Sequence, residues 1–500
     1  MTSLKTRSNI KSLKSCIVIG SGFAGLSAAC FMAKAGWDVT VLEKHDTAGG
    51  RARQLKADGF TFDMGPSWYW MPDVFERFFN CFGKKVANYY ELQRLDPSYR
   101  IYWNEGCTDI PADYDQLKKL FEGIETGSAA KLDQFMHEAA YKYQVGIHKL
   151  VHRPGQSLSE FLDLDLLKGI FKLDVFTSMK KHVARFFKDE RLQQLMEFPI
   201  LFLGALAKDT PALYSLMNYA DIKLGTWYPK GGMYKVVDAM YELAKELGVK
   251  FLFNHNVVAI NIEDGLAKSV TAEATNFSTD SIIAAADYHF VETALLSQNN
   301  RSYSDEYWDS RVMAPSCLLY YVGLNKKLDN ILHHSLFFDT DFDLHGKEIY
   351  TTAQWPTAPL FYICASSVTD DTVAPAGCEN LFFLIPVATG LQGDTETLRD
   401  EYFEKILSRF EKRTGQKISS SIIYKKSYSV SNFVTDYNAF KGNAYGLANT
   451  LRQTAVLKPK LRSRKVKNLF YAGQLTVPGP GVPPSLISGE IVAKEVTKHF

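Results

Sequence analysis

The residues best placed to do chemistry open the chain: Gly20-Ser21-Gly22-Phe23-Ala24-Gly25, three glycines in a GxGxxG spacing. Gly20 permits a tight turn, Gly22 lets a diphosphate approach the backbone, and Gly25 lets a helix lie close to the preceding strand. The apolar run Cys16-Ile17-Val18-Ile19 before the turn reads as a buried parallel strand. Leu26 to Ala35, alanine-rich and ended by Gly36, reads as a helix whose free N–H groups, with Phe23 and Ala24 in the turn, face the phosphates. A second strand, Val39 to Leu42, ends at Glu43, 18 residues beyond Gly25, where an acid reaches ribose hydroxyls; Lys44 follows it. A plain glycine turn in an α/β domain is the competing reading, and the strand, helix and acid in this order count against it.

A second glycine pair separates FAD from NAD. After Glu43 come five residues and then Gly49-Gly50-Arg51. The arrangement resembles the extended dinucleotide motif of FAD enzymes such as amine oxidases, protoporphyrinogen oxidases and carotenoid desaturases. Two adjacent glycines bring another turn against the same diphosphate, and Arg51 adds positive charge. Gly65, Pro66 and Ser67 resemble the segment that passes beside the flavin ring in that group. Trp68, Tyr69 and Trp70 follow; they read equally as the wall of an apolar substrate channel and as core aromatics.

The far end carries a matching set. Val466 to Gly473 reads as a strand, followed by Gln474, the Gly/Pro-rich run from Pro478 through Gly481, Val482 and Pro483 to Ser485, and a helical tail from Leu486 to Lys498. Proline is tolerated in a first helical turn, and a helix N-terminus aimed at the pyrimidine edge of a flavin favours its anionic reduced form. The segment resembles the C-terminal FAD segment of the same group. Many relatives have an acid after Gly473; Gln474 can hydrogen-bond but brings no charge. The loop from Gly473 to Ser488 holds no Cys or His for covalent flavin attachment.

Composition narrows the remaining classes. Lys+Arg 57 against Asp+Glu 55 gives no general pull toward nucleic acid. Seven scattered cysteines without a CxxC pair fit a reducing cytosol, and no metal centre is expected, with His333-His334 read as ordinary core or surface histidines. Met1 to Ser15 is polar and basic and reads as a disordered lead-in rather than a secretory signal. The densest apolar run, Ile200 to Ala207, is too short to span a bilayer, so any membrane role is peripheral. Lys458, Lys460, Arg462, Arg464, Lys465 and Lys467 read as a solvated loop or as contacts to anionic lipid headgroups.

The middle returns to the nucleotide domain through Tyr228 to Gly232, a helix Tyr234 to Leu247, and strands Val249 to Phe253, Val257 to Ile262 and Ser281 to Ala285. The expected fold is α/β: an FAD-binding Rossmann-like domain of the glutathione-reductase type, from residues 15–90, 228–298 and 460–500. It is interleaved with a mixed α+β substrate domain from residues 91–227 and 299–459. The first of these substrate segments reads as helical. Phe161-Leu162, Leu166-Leu167, Ile170-Phe171, Val175-Phe176, Val183 and Phe186-Phe187 read as a helical core or as a membrane-dipping face.

Thr369-Asp370, Ala374 to Leu381 and Pro478 to Ser488, with the FAD motifs, resemble bacterial phytoene desaturases over most of the chain. That resemblance implies non-covalent FAD, a backbone contact from Val257 to the adenine, and hydride abstraction from a carbon beside conjugated double bonds with loss of a neighbouring proton. It also implies a long apolar polyene substrate, a quinone or oxygen as electron acceptor, and peripheral contact with the inner face of the cell membrane. No general base is assigned, and Asp63 and Asp221 are read as structural. Competing readings are another FAD oxidase, a carotenoid isomerase, and a non-enzymatic escort of prenylated proteins on the same fold. Intact Gly20, Gly22, Gly25, Glu43, Gly49 and Gly50 argue against the escort.

Overall fold

The computed structural model describes residues 13–157, 160, 173–450 and 452–500. The lead-in to residue 12 and the apolar pairs between Phe161 and Phe171 lie outside them. The first strand, Ser15–Ile19, is central to a five-stranded parallel sheet. Its order runs Leu469–Tyr471, Ser281–Ala284, Ser15–Ile19, Asp38–Leu42, Lys250–Leu252. A strand covered on both faces must be apolar throughout, as Cys16 to Ile19 is. The helix Phe23–Lys34 crosses one face and is stopped by Gly36 at φ +83°.

The second sheet has seven strands, in the order Ile422–Tyr428, Ser316–Leu324, Glu379–Val387, Phe361–Cys364, His334–Phe337, Tyr99–Tyr102, Cys107–Ile110. All its strands come from residues 91–227 and 299–459. The helical expectation for the first of these segments is corrected at its start. Tyr99–Tyr102 pairs in parallel with His334–Phe337, a distant partner that local periodicity does not reveal. Later in the segment, Val183 and Phe187 are fully buried while Phe176 is 85% exposed, so the helical-core reading holds for the first two.

The C-terminal helix begins earlier than expected. It runs Val482–His499, with the prolines inside its first turn and Gly481 before it at φ +110°. It lies against the helix Phe23–Lys34 so closely that a Cβ on Gly489 would stand 2.3 Å from the Ala24 carbonyl oxygen. Ser27 Oγ donates to the Leu486 carbonyl across the same seam at 2.6 Å.

A buried carboxylate pins the C-terminal helix from the other side. Glu490 accepts both Arg77 guanidinium nitrogens, at 2.6 and 2.7 Å, and Lys494 at 2.6 Å. Burial alone would raise its pKa, but these cations outweigh burial and hold it at about 2. A depressed carboxyl pKa stabilises the fold above the unfolded value of 4.5, and that stabilisation is lost as pH falls through about 2. Glu490→Gln is expected to cost about 2 kcal/mol at pH 7, discounted because both cation heads are partly exposed. Thermal melts of the two proteins should converge between pH 4.5 and about 2. A gap that is constant with pH would contradict the assignment.

Candidate FAD site and apolar channel

The glycine turn, the second glycine pair and the C-terminal Gly/Pro loop line one cavity of about 600 Å³. Its polar end is formed by Gly20 to Ala24, Glu43, Lys44, Gly49 to Ala52, Val257 and Ala285 to Asp287. Gly65, Pro66 and Ser67 line the same cavity, as do Gln474, Gly481, Val482, Pro483 and Gly473, the last packed beside Ala24 of the glycine turn. Beyond them lies an apolar arm that includes Trp68, Trp70, Leu216, Leu336, Phe338 and Tyr350.

The residues at the polar end fit a dinucleotide. A Cβ on Gly50 would stand 3.2 Å from Gly22 Cα, so two glycine turns meet with room only for hydrogens between them. No side chain caps the helix Phe23–Lys34, whose positive end opens here. Arg51 Nε is buried with no partner among the described residues, while Arg51 Nη2 donates to the Asn443 carbonyl at 3.2 Å. Burial pulls the Arg51 pKa down and the Asp287 carboxylate opposes that pull. A guanidinium with an orphaned N–H at the second glycine pair is what a diphosphate would satisfy.

Glu43 is 5% exposed and ties the two turns together. One oxygen accepts Ser21 N and Ser21 Oγ at 2.8 and 2.7 Å, and the other accepts His45 N at 3.0 Å. The oxygen that accepts His45 N keeps a second lone pair for a ribose hydroxyl. Gln474, oriented to suit its neighbours, accepts from Arg51 Nη2 at 3.1 Å and donates to the Tyr445 carbonyl at 3.3 Å. A neutral carbonyl there orients Arg51 without neutralising it, which gives the missing acid a physical sense.

Two expected site residues lie elsewhere. Gly25 sits behind the turn, where a Cβ would stand 2.0 Å from the Gly20 carbonyl oxygen; its role is the close packing expected of it. Tyr69 is not part of the wall. It is fully buried, stacks on Phe75 at 4.3 Å and bonds the Tyr90 hydroxyl at 2.9 Å. Alternation along an extended segment sends Trp68 and Trp70 to the cavity and Tyr69 away from it. Asp63 accepts Met233 N and Tyr234 N at 2.6 and 3.0 Å, at the start of the helix Tyr234–Glu246. Asp221 accepts the Tyr99 and Thr226 hydroxyls at 2.8 and 3.1 Å. Neither carboxylate lines the cavity.

Sequence reasoning missed Asp287, Asn443, Tyr445 and His345, all distant in sequence and in no local motif. His345 lines the apolar arm but is saturated, with Pro386 O at 2.9 Å and Leu360 N at 3.0 Å, and burial lowers its pKa to about 4.

A parallel sheet with a glycine-turn cradle, joined to an antiparallel-rich sheet over an apolar arm, defines an FAD flavoprotein of the amine-oxidase type. Residues 23–497 match the family described as flavin containing amine oxidoreductase. The chain belongs to that family, within its carotenoid desaturases. It is 43% identical over 487 residues to a carotenoid 3,4-desaturase of Haloarcula japonica, covering 97% of this chain and 98% of that one. It is 30% identical to a zeta-carotene-forming phytoene desaturase of Myxococcus xanthus, covering 96% and 93%. It is equally 30% identical to a 4,4'-diaponeurosporene-forming 4,4'-diapophytoene desaturase of Staphylococcus aureus, covering 97% and 98%. In fold it is similar to an oxidoreductase from Methanosarcina mazei, with TM-score 0.61 at 16% identity over 97% and 100% of the chains. It is also similar in fold to a cyclohexylamine oxidase of Brevibacterium oxydans, with TM-score 0.60 at 15% identity over 97% and 99%.

Proposed function

We propose that the chain desaturates a carotenoid at a CH–CH single bond beside the polyene, and that its bond is the 3,4 bond of an already conjugated acyclic carotenoid. The carrying observation is the single cavity that joins a diphosphate cradle to an apolar arm. The 43% identity to a protein named carotenoid 3,4-desaturase, against 30% to the phytoene and diapophytoene desaturases, favours the 3,4 bond. Phytoene, the substrate expected from the sequence, is the second reading and rests on those 30% relatives.

Bound FAD supplies the hydride acceptor. Gly20 to Ala24, Glu43, Gly49 to Arg51 and Val257 hold its diphosphate and adenosine. The helix Val482–His499 points its positive end at the cavity, where negative charge gathers on reduction. Trp68, Trp70 and Phe338 keep water from a polyene lying along the arm. Conjugation in the substrate spreads the developing positive charge, so much of the catalysis rests on orientation. The protein works at the inner face of a membrane that dissolves its substrate and passes electrons to a quinone or oxygen. No described helix is long and apolar enough to cross a membrane, and the exposed Phe176 is a candidate for contact with it.

Pigment extraction from two producing strains tests the substrate. Cells making lycopene should gain a longer chromophore, and cells making only phytoene should keep it. Conversion of phytoene to neurosporene or lycopene would favour the second reading. Unchanged pigment in both strains, with folded flavin-loaded protein, would contradict both.

A further inference from the structure

Ser67 and Tyr362 both face the cavity, and their hydroxyls are 2.9 Å apart. The Tyr362 hydroxyl is 2.7 Å from His334 Nδ1. This contact is built by sheet register. Phe361–Cys364 runs antiparallel to His334–Phe337 with Tyr362 opposite Leu336, so Tyr362 and His334 are diagonal neighbours on one face. His334 is fully buried, and its Nε2 has no partner among the described residues. Trp68 stacks on the imidazole at 4.1 Å and 10°.

We propose that Ser67, Tyr362 and His334 form the relay that takes the proton released when the new double bond forms. The inference rests on the desaturase reading and supplies the acceptor that reading lacks. Two C–H bonds of the substrate break. One leaves with its electron pair as hydride, for which FAD is the oxidant. The neighbouring bond leaves its pair behind as the new π bond, and its proton goes to a free lone pair of Ser67 Oγ. Ser67 passes its own proton to the Tyr362 oxygen, and Tyr362 passes its proton to His334 Nδ1. Three transfers leave both hydroxyls as they began and the imidazole protonated.

The setting of His334 suits a transient acceptor. Burial, and then the His333 ring 4.5 Å away, hold its pKa well below the ordinary value, so the resting imidazole is neutral and ready to accept. A carbon beside a developing polyene cation is acidic enough to yield a proton to so weak a base. The Trp68 face steadies the imidazolium while it lasts. The other ionisable groups nearby are His333, Cys364, Asp63, Tyr228 and Asp370. His333 Nδ1 bonds the Thr369 hydroxyl at 2.8 Å, and Asp370 bonds the Tyr228 hydroxyl at 3.1 Å. Ser67, His333, Cys364 and Asp63 share a second, much smaller void beside the relay.

The test is anaerobic single-turnover reduction of the flavin-loaded holoprotein by its carotenoid. Rates are read from the flavin band in H₂O and D₂O for wild type, Tyr362→Phe and His334→Gln. Expected are a normal solvent isotope effect in wild type and a rate about 10²-fold lower in Tyr362→Phe. Flavin loading and carotenoid affinity should be unchanged, and the isotope effect lost. The wild-type rate should fall at low pH as His334 protonates, and His334→Gln should lack that limb. Tyr362→Phe keeping pace with wild type overturns the relay and leaves the desaturase reading standing. A wild-type solvent isotope effect of one overturns it even if the variants misfold. Failure of every carotenoid to reduce the wild-type flavin takes down both. Ligand atoms of His333, His334 and Cys364 lie within 4.8 Å of one another, so metal content is measured on the same preparation. Stoichiometric zinc or copper held there would remove the imidazole from the relay and overturn it.

Discussion

Gly25→Val is expected to yield a protein that cannot retain FAD. A Cβ at position 25 would stand 2.0 Å from the Gly20 carbonyl oxygen and 3.2 Å from Ala285 Cβ. The first contact is with backbone, which cannot rotate aside as a side chain would. The helix Phe23–Lys34 must therefore move off the sheet, carrying its open N-terminal turn away from Gly50. Overpacking against rigid backbone costs about 3 kcal/mol, and about 1.4 kcal/mol is tenfold in affinity. FAD titration of the apoprotein should show affinity lower by more than ~10²-fold, with a lower melting temperature. Gly36→Ala is the control. It has nothing within 4 Å and only an unfavourable φ of +83°, and it should cost about 1 kcal/mol and leave FAD in place. Wild-type FAD affinity in Gly25→Val would mean that the close contact is not needed.

Glu43→Ala is expected to weaken FAD binding by about 10²-fold with a smaller effect on the fold. The lost carboxylate accepts Ser21 N, Ser21 Oγ and His45 N. Hydrogen bonds to a charged acceptor contribute about 1.5–3 kcal/mol each, but Ser21 and His45 can recover part of that from water or a neighbour once the turn loosens. A net loss of about 3 kcal/mol, most of it felt when FAD orders the turn, corresponds to about two decades of affinity. FMN, which lacks the adenosine half, separates the roles. A carboxylate that holds ribose should affect FAD far more than FMN, whereas one that only shapes the turn should affect both. Equal losses for the two flavins would remove the ribose contact, and no loss for FAD would remove Glu43 from the site.

How much of this was legible in the sequence follows the range of the interactions. The cradle is local. Gly20 to Gly25 and Gly49 to Arg51 are recognisable by spacing, although the approach that Gly22 and Gly50 permit is between the two turns. The meeting of the two chain ends was readable only through resemblance. Gly489, whose missing side chain lets the two helices touch, lies in an ordinary helical tail with nothing to mark it. The start of the C-terminal helix was placed late because the helical periodicity begins at Leu486, while Val482, Pro483 and Pro484 already form its first turn. Tyr69 was grouped with two channel tryptophans because its neighbours share its chemistry. Only the alternation of an extended backbone separates them. Tyr99–Tyr102 and the Ser67–Tyr362–His334 chain depend on strand register between remote segments, which no local pattern encodes.

Anaerobic mixing of yellow holoprotein with one carotenoid in micelles tests most directly whether cradle and arm form one reactive site. One equivalent of acyclic, conjugated carotenoid should bleach the flavin band completely and appear as a product with one more conjugated double bond. Admitting a quinone or air should restore the band. A flavin that stays oxidised beside bound carotenoid, with the pigment recovered unchanged, would show that the apolar arm does not deliver a substrate to the cofactor.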